Sequence, residues 1–369
     1  MKALVNTFLP LCIFSFIAFG ISVAVLGFQS DSTANITSEM TVIDEQYSNI
    51  ELNSNGINIS LFPSDRSDTV IYAEKSILDE VSVEVKNDTL TIECNRNIEG
   101  FDEFFNLFEE GDKQKVEIAV PDIVYNNIIA EVNAGATQIL SLGAECIDLQ
   151  LNAGDLTYSA PEGYKTSLLM AELNAGNCTI YNAQTDMFEL TLNAGNMDVY
   201  GLSGNGNIET AAGSLTSNFA KLNGNIDIEV RAGSVDLNLP EDASAYIDCE
   251  MTAGEVSVKH TDYKETLTDG DTLTIADGQY SIICDITAGS INVSDNVKLK
   301  SAPATPETRP IDTAAAVTTA IINTPIEPVI EAEGVNVYVD EDAGLQIPSV
   351  KVNGDKVNVD LGVIKVDVN

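Results

Sequence analysis

The sequence has no tryptophan, a single histidine and few basic residues: 18 Lys and Arg stand against 57 Asp and Glu in 369 residues. The formal charge of -39 excludes the basic surface that a sequence-independent grip on nucleic-acid phosphates requires. The same charge disfavours rest on an anionic lipid surface, and it serves solubility. With 6% aromatic but 44% hydrophobic residues, the core must be built from Val, Ile, Leu and Ala, which suits short regular strands. The lone histidine, His260, has no second histidine to complete a zinc site, and near Asp262 it reads as a solvated loop residue.

Catalytic and cofactor signatures are missing as well. Gly201-Leu202-Ser203-Gly204-Asn205 lacks the last glycine of a nucleophile elbow. Gly204-Asn205-Gly206-Asn207-Ile208-Glu209 lacks the third glycine of a dinucleotide loop and does not precede a helix. There is no phosphate-loop signature and no tandem Gly-Gly-x-Gly-x-Asp repeat of calcium-bound rolls. No catalytic residue, cofactor, metal ligand or small-molecule substrate is therefore expected. With 57 acids some carboxylates must be neighbours, so their proximity alone does not identify a glycoside-cleaving pair. Beyond the N-terminal segment the cysteines are Cys94, Cys146, Cys178, Cys249 and Cys284, an odd number without metal-type spacing. They read as buried reduced thiols, and Cys249 and Cys284, each five residues before a repeat glycine, are expected above one another, with a disulfide between them the alternative at a slightly long stacking distance.

What is present begins with Phe8 to Phe28, an apolar run of 21 residues preceded by Lys2 and followed by Asp31, Glu39, Asp44 and Glu45. That length crosses a bilayer as one helix, and the charge asymmetry places everything after about residue 30 outside the cell. We read residues 1–30 as a short cytoplasmic tail with a single-pass signal-anchor, with Cys12 packed inside the helix. Signal cleavage followed by secretion is the alternative, although Val23-Ala24-Val25-Leu26-Gly27 is a poor small-x-small site.

The central feature is repetition. Asn133-Ala134-Gly135, Asn152-Ala153-Gly154, Asn174-Ala175-Gly176 and Asn193-Ala194-Gly195 are followed by Ala-Gly pairs ending at Gly213, Gly233, Gly254 and Gly289. The glycines are 19, 22, 19, 18, 20, 21 and 35 residues apart, so a unit is about 20 residues and the last carries an insertion. Before Gly154, Ile147, Leu149 and Leu151 alternate with Asp148, Gln150 and Asn152; after Gly233, Val235 and Leu237 continue the alternation. Each unit is thus strand, tight corner, strand. Such a unit cannot bury its apolar side alone, so the fold class predicted is an all-β parallel β-solenoid, a β-helix or β-roll of about eight rungs. The competing arrangement is an antiparallel sandwich. The Asn133, Asn152, Asn174 and Asn193 column predicts a ladder of stacked amides.

The flanks differ. Residues 40–130 contain short alternating stretches and read as an N-terminal β cap, with 131–297 as the solenoid. Phe101, Phe104, Phe105 and Phe108 fall within one short acidic stretch and form either a lid over the end of the core or an interaction loop. Residues 301–330 have a Pro/Thr/Ala linker composition, and 331–369 alternate again around Asn353-Gly354 as a small β appendage.

In the order of its features the chain resembles a bacterial "putative adhesin" family of β-strand repeats. The residues that carry this are the N-terminal alternating strands, the aromatic stretch around Phe104 and Phe105, Val116-Glu117-Ile118-Ala119-Val120-Pro121, and the Ala-Gly corners, over residues 40 to 295. The resemblance implies a right-handed or roll-like solenoid at the cell envelope, often membrane-anchored, and transfers no catalytic residue. The expectation is a non-enzymatic envelope protein whose partners are envelope proteins or glycans, in adhesion or envelope-stress signalling. A carbohydrate-active enzyme on the same scaffold, or a passive spacer, is the alternative.

Overall fold

A computed structural model describes residues 38–74, 77–96, 115–295, 297–306, 335–339, 349–353, 356–360 and 364–368. The signal-anchor reading at 1–30 and the four phenylalanines from Phe101 to Phe108 lie outside these residues. Among the described residues no helix is long and apolar enough to cross a membrane.

The repeats fold as rungs, each a strand, a corner and a second strand, stacked in parallel and in register. Ten rungs follow one another. Rung 1 is Thr89–Asn95 with Lys115–Pro121, and rung 2 is Asn49–Asn55 with Asn58–Ser64. Rung 3 is Tyr125–Ala134 with Ala136–Ile139; rung 4, Ala144–Leu151 with Asp155–Ser159; rung 5, Thr166–Leu173 with Asn177–Tyr181. Rung 6 is Gln184–Leu192 with the first part of Asn196–Thr210, and rung 7 is the rest of that strand with Ser214–Phe219. Rung 8 is Ile226–Val230 with Ser234–Asn238. Two long strands that bend through their corners complete the stack, Tyr280–Ser294 as rung 9 and Ala245–His260 as rung 10. At ~4.8 Å per rung the stack is roughly 43 Å long.

The order of rungs in space is not their order along the chain. The chain enters at rung 2, steps outward to rung 1, and then passes to rung 3. At the far end it leaves rung 8, forms rung 10, and returns to insert rung 9 between them. Sequence spacing alone suggests that the Gly254 rung follows the Gly233 rung. In the structure Gly289 does, since the Ser290 N–H donates to the Gly233 carbonyl at 3.0 Å.

Both ends are closed by antiparallel strands, which removes the open edges of a parallel stack. At one end Val81–Lys86 pairs with Thr89–Asn95, and Thr69–Glu74 pairs with Lys115–Pro121 and with Ser38–Ile43. At the other, Tyr263–Leu267 and Thr272–Ile275, both from the 35-residue spacing, pair with the two halves of rung 10. The region read as an N-terminal cap is therefore half cap and half stack. The cue to this was Asn55-Gly56, a turn that places Asn49–Asn55 and Asn58–Ser64 on the two ladders beside rung 3.

Inside, the alternating residues meet as one apolar column per ladder. Ile147, Leu149, Leu151, Ile226, Ile228 and Val230 are all buried. Of the few aromatics, Tyr125, Tyr158, Phe188 and Phe219 are fully buried in this core, and Phe62 is buried in a smaller cluster with Val70, Tyr72, Ala119 and Leu140. Each buried tyrosine hydroxyl is satisfied, Tyr125 donating to Pro121 O at 2.7 Å and Tyr158 to Leu142 O at 2.9 Å.

Residues 319–369 form a second compact unit. Its strands, Val335–Val339, Ser349–Asn353, Lys356–Asp360 and Ile364–Val368, make one antiparallel sheet in which the first and last pair.

Candidate functional site

The eight repeat glycines come together as one column along the corner, where they build the stack and offer no reactive group. At Gly154 (φ +112°) an added Cβ would lie 2.1 Å from the Gly135 carbonyl oxygen. That oxygen accepts the Asp155 N–H at 3.0 Å, so the close approach is itself the rung-to-rung bond. Gly176 repeats this on Gly154, Gly195 on Gly176, and Gly213 on Gly195; Gly233, Gly289 and Gly254 follow in that spatial order, and Gly135 rests on Ile57 O. The predicted amide ladder is present: Asn152 Nδ2 donates to Asn133 Oδ1 at 2.7 Å, Asn174 to Asn152 at 2.9 Å and Asn193 to Asn174 at 2.7 Å. Across the corner runs a second ladder that sequence reasoning missed, in which Asn177 donates to Asp155 at 2.8 Å and Asn196 to Asn177 at 3.1 Å.

The cysteines behave as small hydrophobes. Cys94, Cys178, Cys249 and Cys284 are buried and free, and Cys146 is half-exposed. Burial pushes the Cys94 thiol up to about 12 and, with Asp198 nearby, the Cys178 thiol as well. Cys249 and Cys284 are register partners, and their mutual hydrogen bond together with burial holds the Cys284 thiol protonated. His260 is corrected: it is buried, not solvated, because it ends rung 10 facing inward, and its Nε2–H donates to Pro240 O at 2.9 Å. Among the described residues no group of three or more His, Cys, Asp or Glu could hold a metal ion.

One concave feature stands out on the otherwise regular surface. The second strands of rungs 6 to 10 present outward columns in register. One column runs Tyr200, Asn218, Asn238, Ser294 and Lys259; the next runs Asp198, Thr216, Asp236, Asn292 and Ser257. After rung 9 the chain turns back across them, and the Lys298 N–H donates to Asn218 Oδ1 at 3.0 Å. Between these residues and Lys298 and Lys300 lies a groove of about 530 Å³. Its floor is held by Asn238 Nδ2 on Asn218 Oδ1 at 3.1 Å, Ser294 Oγ on Asn238 Oδ1 at 2.7 Å, and Asn292 Nδ2 on Asp236 Oδ1 at 2.7 Å.

At the rung 6 end, Tyr200 stacks on Tyr181 of the rung below, with ring centroids 5.3 Å apart and planes 19° off parallel. Lys300 Nζ lies 4.8 Å from the Tyr200 ring centre. The hydrogen bond to Tyr200, with Asp198 and Tyr181 beyond it, raises the Lys300 pKa above the usual lysine value and keeps it charged. Such a surface, with amides, hydroxyls, carboxylates and ammonium groups side by side, can hydrogen-bond a polyhydroxylated chain.

The "putative adhesin" of Bacteroides fragilis NCTC 9343 is 15% identical, covers 72% of this chain and 100% of its own, and superposes with a TM-score of 0.43. The "putative lipid binding protein" of Parabacteroides distasonis ATCC 8503 is 13% identical over 70% of this chain and 97% of its own, with a TM-score of 0.41. The "putative adhesin" of Parabacteroides merdae ATCC 43184 is 12% identical, with coverages of 70% and 97% and a TM-score of 0.35. No curated protein matches the chain. The Toastrack DUF4097 family model matches residues 47–294, from the start of rung 2 to the end of rung 9, so this chain belongs to the Toastrack DUF4097 family.

Proposed function

We propose that this protein is a non-enzymatic adhesin of the cell envelope. In this reading Phe8 to Phe28 hold it in the membrane and the outward groove of rungs 6 to 10 takes up a glycan. The observation that carries the reading is the segment containing Lys298 and Lys300. Along the corner the rung surface is satisfied by its own ladders; here a crossing chain turns a flat face into a groove that ends at the stacked Tyr181 and Tyr200 rings, the second of them buried.

The same groove bears on the enzymatic alternative. Asp198 and Asp236 face it two rungs apart, about 9.6 Å along the stack, which approaches the separation of inverting glycosidases. A general acid needs an apolar wall to retain its proton. Asp236 instead accepts the Asn292 amide, and Asp198 lies in the field of Lys300. Neither carboxylate therefore stands alone against an apolar wall, which favours binding over cleavage.

The test is retention of polysaccharides from intact envelopes by the full chain, followed by assay of the retained material for new reducing ends. Retained glycan without new ends is expected. No retained glycan sinks the adhesin reading, and new ends sink the non-enzymatic one. For the anchor, the chain should stay with the membrane fraction on alkaline extraction and leave it when residues 8–28 are deleted.

A further inference from the structure

Acids outnumber bases by 57 to 18 in this chain, so a lysine can find a carboxylate almost anywhere on the surface. The ion pairs among the described residues are Arg66–Asp68, Lys115–Glu117, Lys165–Asp186 and Arg231–Glu229. None uses Lys259, Lys298 or Lys300, although all three are exposed and line one groove. Of the acids in that groove, Asp236 is already engaged by Asn292. We infer that the groove's ligand is an acidic polysaccharide, whose carboxylate or sulfate groups meet Lys259, Lys298 and Lys300 while its sugar rings lie along the half-buried Asn238 and Asn292. This rests on the glycan reading above and gives it a ligand class.

The placement of the lysines argues for a polymer over a single anion. Lys300 sits at Tyr200 in rung 6, Lys298 is tied to Asn218 in rung 7, and Lys259 ends the same column in rung 10. Rungs 6 and 10 are roughly 19 Å apart at ~4.8 Å per rung, too far for one phosphate or headgroup to bridge. The overall charge of -39 argues for a thin chain over a membrane or a nucleic-acid duplex. A broad anionic surface would have to approach the acidic faces around the groove, within a Debye length of about 8 Å at physiological salt, whereas a single polysaccharide strand meets three lysines and only the two groove acids, Asp198 and Asp236.

The experiment is titration of the full chain in neutral detergent with polygalacturonate, dextran sulfate, uncharged dextran, inorganic phosphate and anionic phospholipid vesicles. Binding of polygalacturonate or dextran sulfate is expected, weakening as salt is raised, with little binding of dextran, phosphate or vesicles. The double variant K298Q/K300Q should weaken it about tenfold, from two exposed charge contacts. The charge-matched control K86Q/K115Q, with both lysines at the rung 1 end of the stack, should leave it unchanged. An equal loss in the control overturns the inference, because net charge alone would then be responsible. Dextran bound as tightly as the charged polymers, and indifferent to K298Q/K300Q, overturns the acidic class and leaves the glycan reading standing. Binding of phosphate or vesicles in place of the polysaccharides overturns the polymer assignment. No polysaccharide bound at all removes both.

Discussion

At Gly176 the backbone sits at φ +115°, and an added Cβ would lie 2.1 Å from the Gly154 carbonyl oxygen. Left-handed strain and a backbone clash act together there. Gly176→Ala should therefore cost about 3 kcal/mol or more, visible as a lower denaturation midpoint. Gly163 also has positive φ (+75°) but nothing within 4 Å. Gly163→Ala should cost only about 1 kcal/mol. Equal losses at the two sites would mean that the corner does not depend on close stacking.

Asp155 gives a second residue-level prediction. Burial raises its carboxyl pKa, and the Asn177 amide only partly offsets this. An acid raised in the folded state binds protons more tightly there than when unfolded, so its penalty is absent below the ordinary value of 3.8 and grows as pH rises through the folded value. Asp155→Asn, which prolongs the amide ladder, should raise the melting temperature at pH 7, and the gain should shrink as the pH approaches the ordinary aspartate range. Thiol labelling should likewise single out Cys146, since the other four described cysteines are buried.

In parallel, in-register strands like charges can stack directly, as Glu209, Glu229, Asp285 and Glu250 do over rungs 7 to 10, but between rungs 3 and 7 the first ladder alternates them. Glu131, Asp148, Glu172, Glu189 and Glu209 occupy rungs 3 to 7 and switch between two outward columns at every step. Thr191 stands between Glu172 and Glu209 in one of them. Thr191→Glu should destabilise the stack by about 0.5–1 kcal/mol at low salt, and less at high salt, while Thr191→Gln should not. The two strands on rung 10 have a different task. Leu267 and Ile275 are buried from them into the end of the core, and Thr274 pairs with Tyr246. Thr274→Pro should expose the rung edge and produce oligomers by light scattering.

The strands, their inward residues and the corner column were legible in the sequence, because a period of two around a fixed Ala-Gly pair repeats eight times. The order of rungs 9 and 10 was not. Spacing reports the length of an insertion and says nothing of which neighbour pairs with which once the chain turns back. His260 was misread for a related reason. Its flanks look like a loop, but Ala245–His260 is one continuous strand whose last residue faces inward. The groove was invisible because it is completed by Lys298 and Lys300, which no repeat pattern marks and which reach Asn218 and Tyr200 from 80 and 100 residues away.

For the molecule as a whole, the repeat explains the rod and the breaks in the repeat explain what the rod can recognise. Columns that recur at every rung satisfy one another and leave little for a partner. The groove combines three such breaks: a crossing chain, an aromatic pair and lysines outside the ion pairs of an acidic body. The decisive measurement is amide hydrogen exchange on the full chain with and without the glycan retained from envelopes. The account predicts protection confined to residues 196–200, 214–219, 234–238, 256–260 and 290–300. Protection that falls on the first ladder, with those segments unchanged, would contradict it.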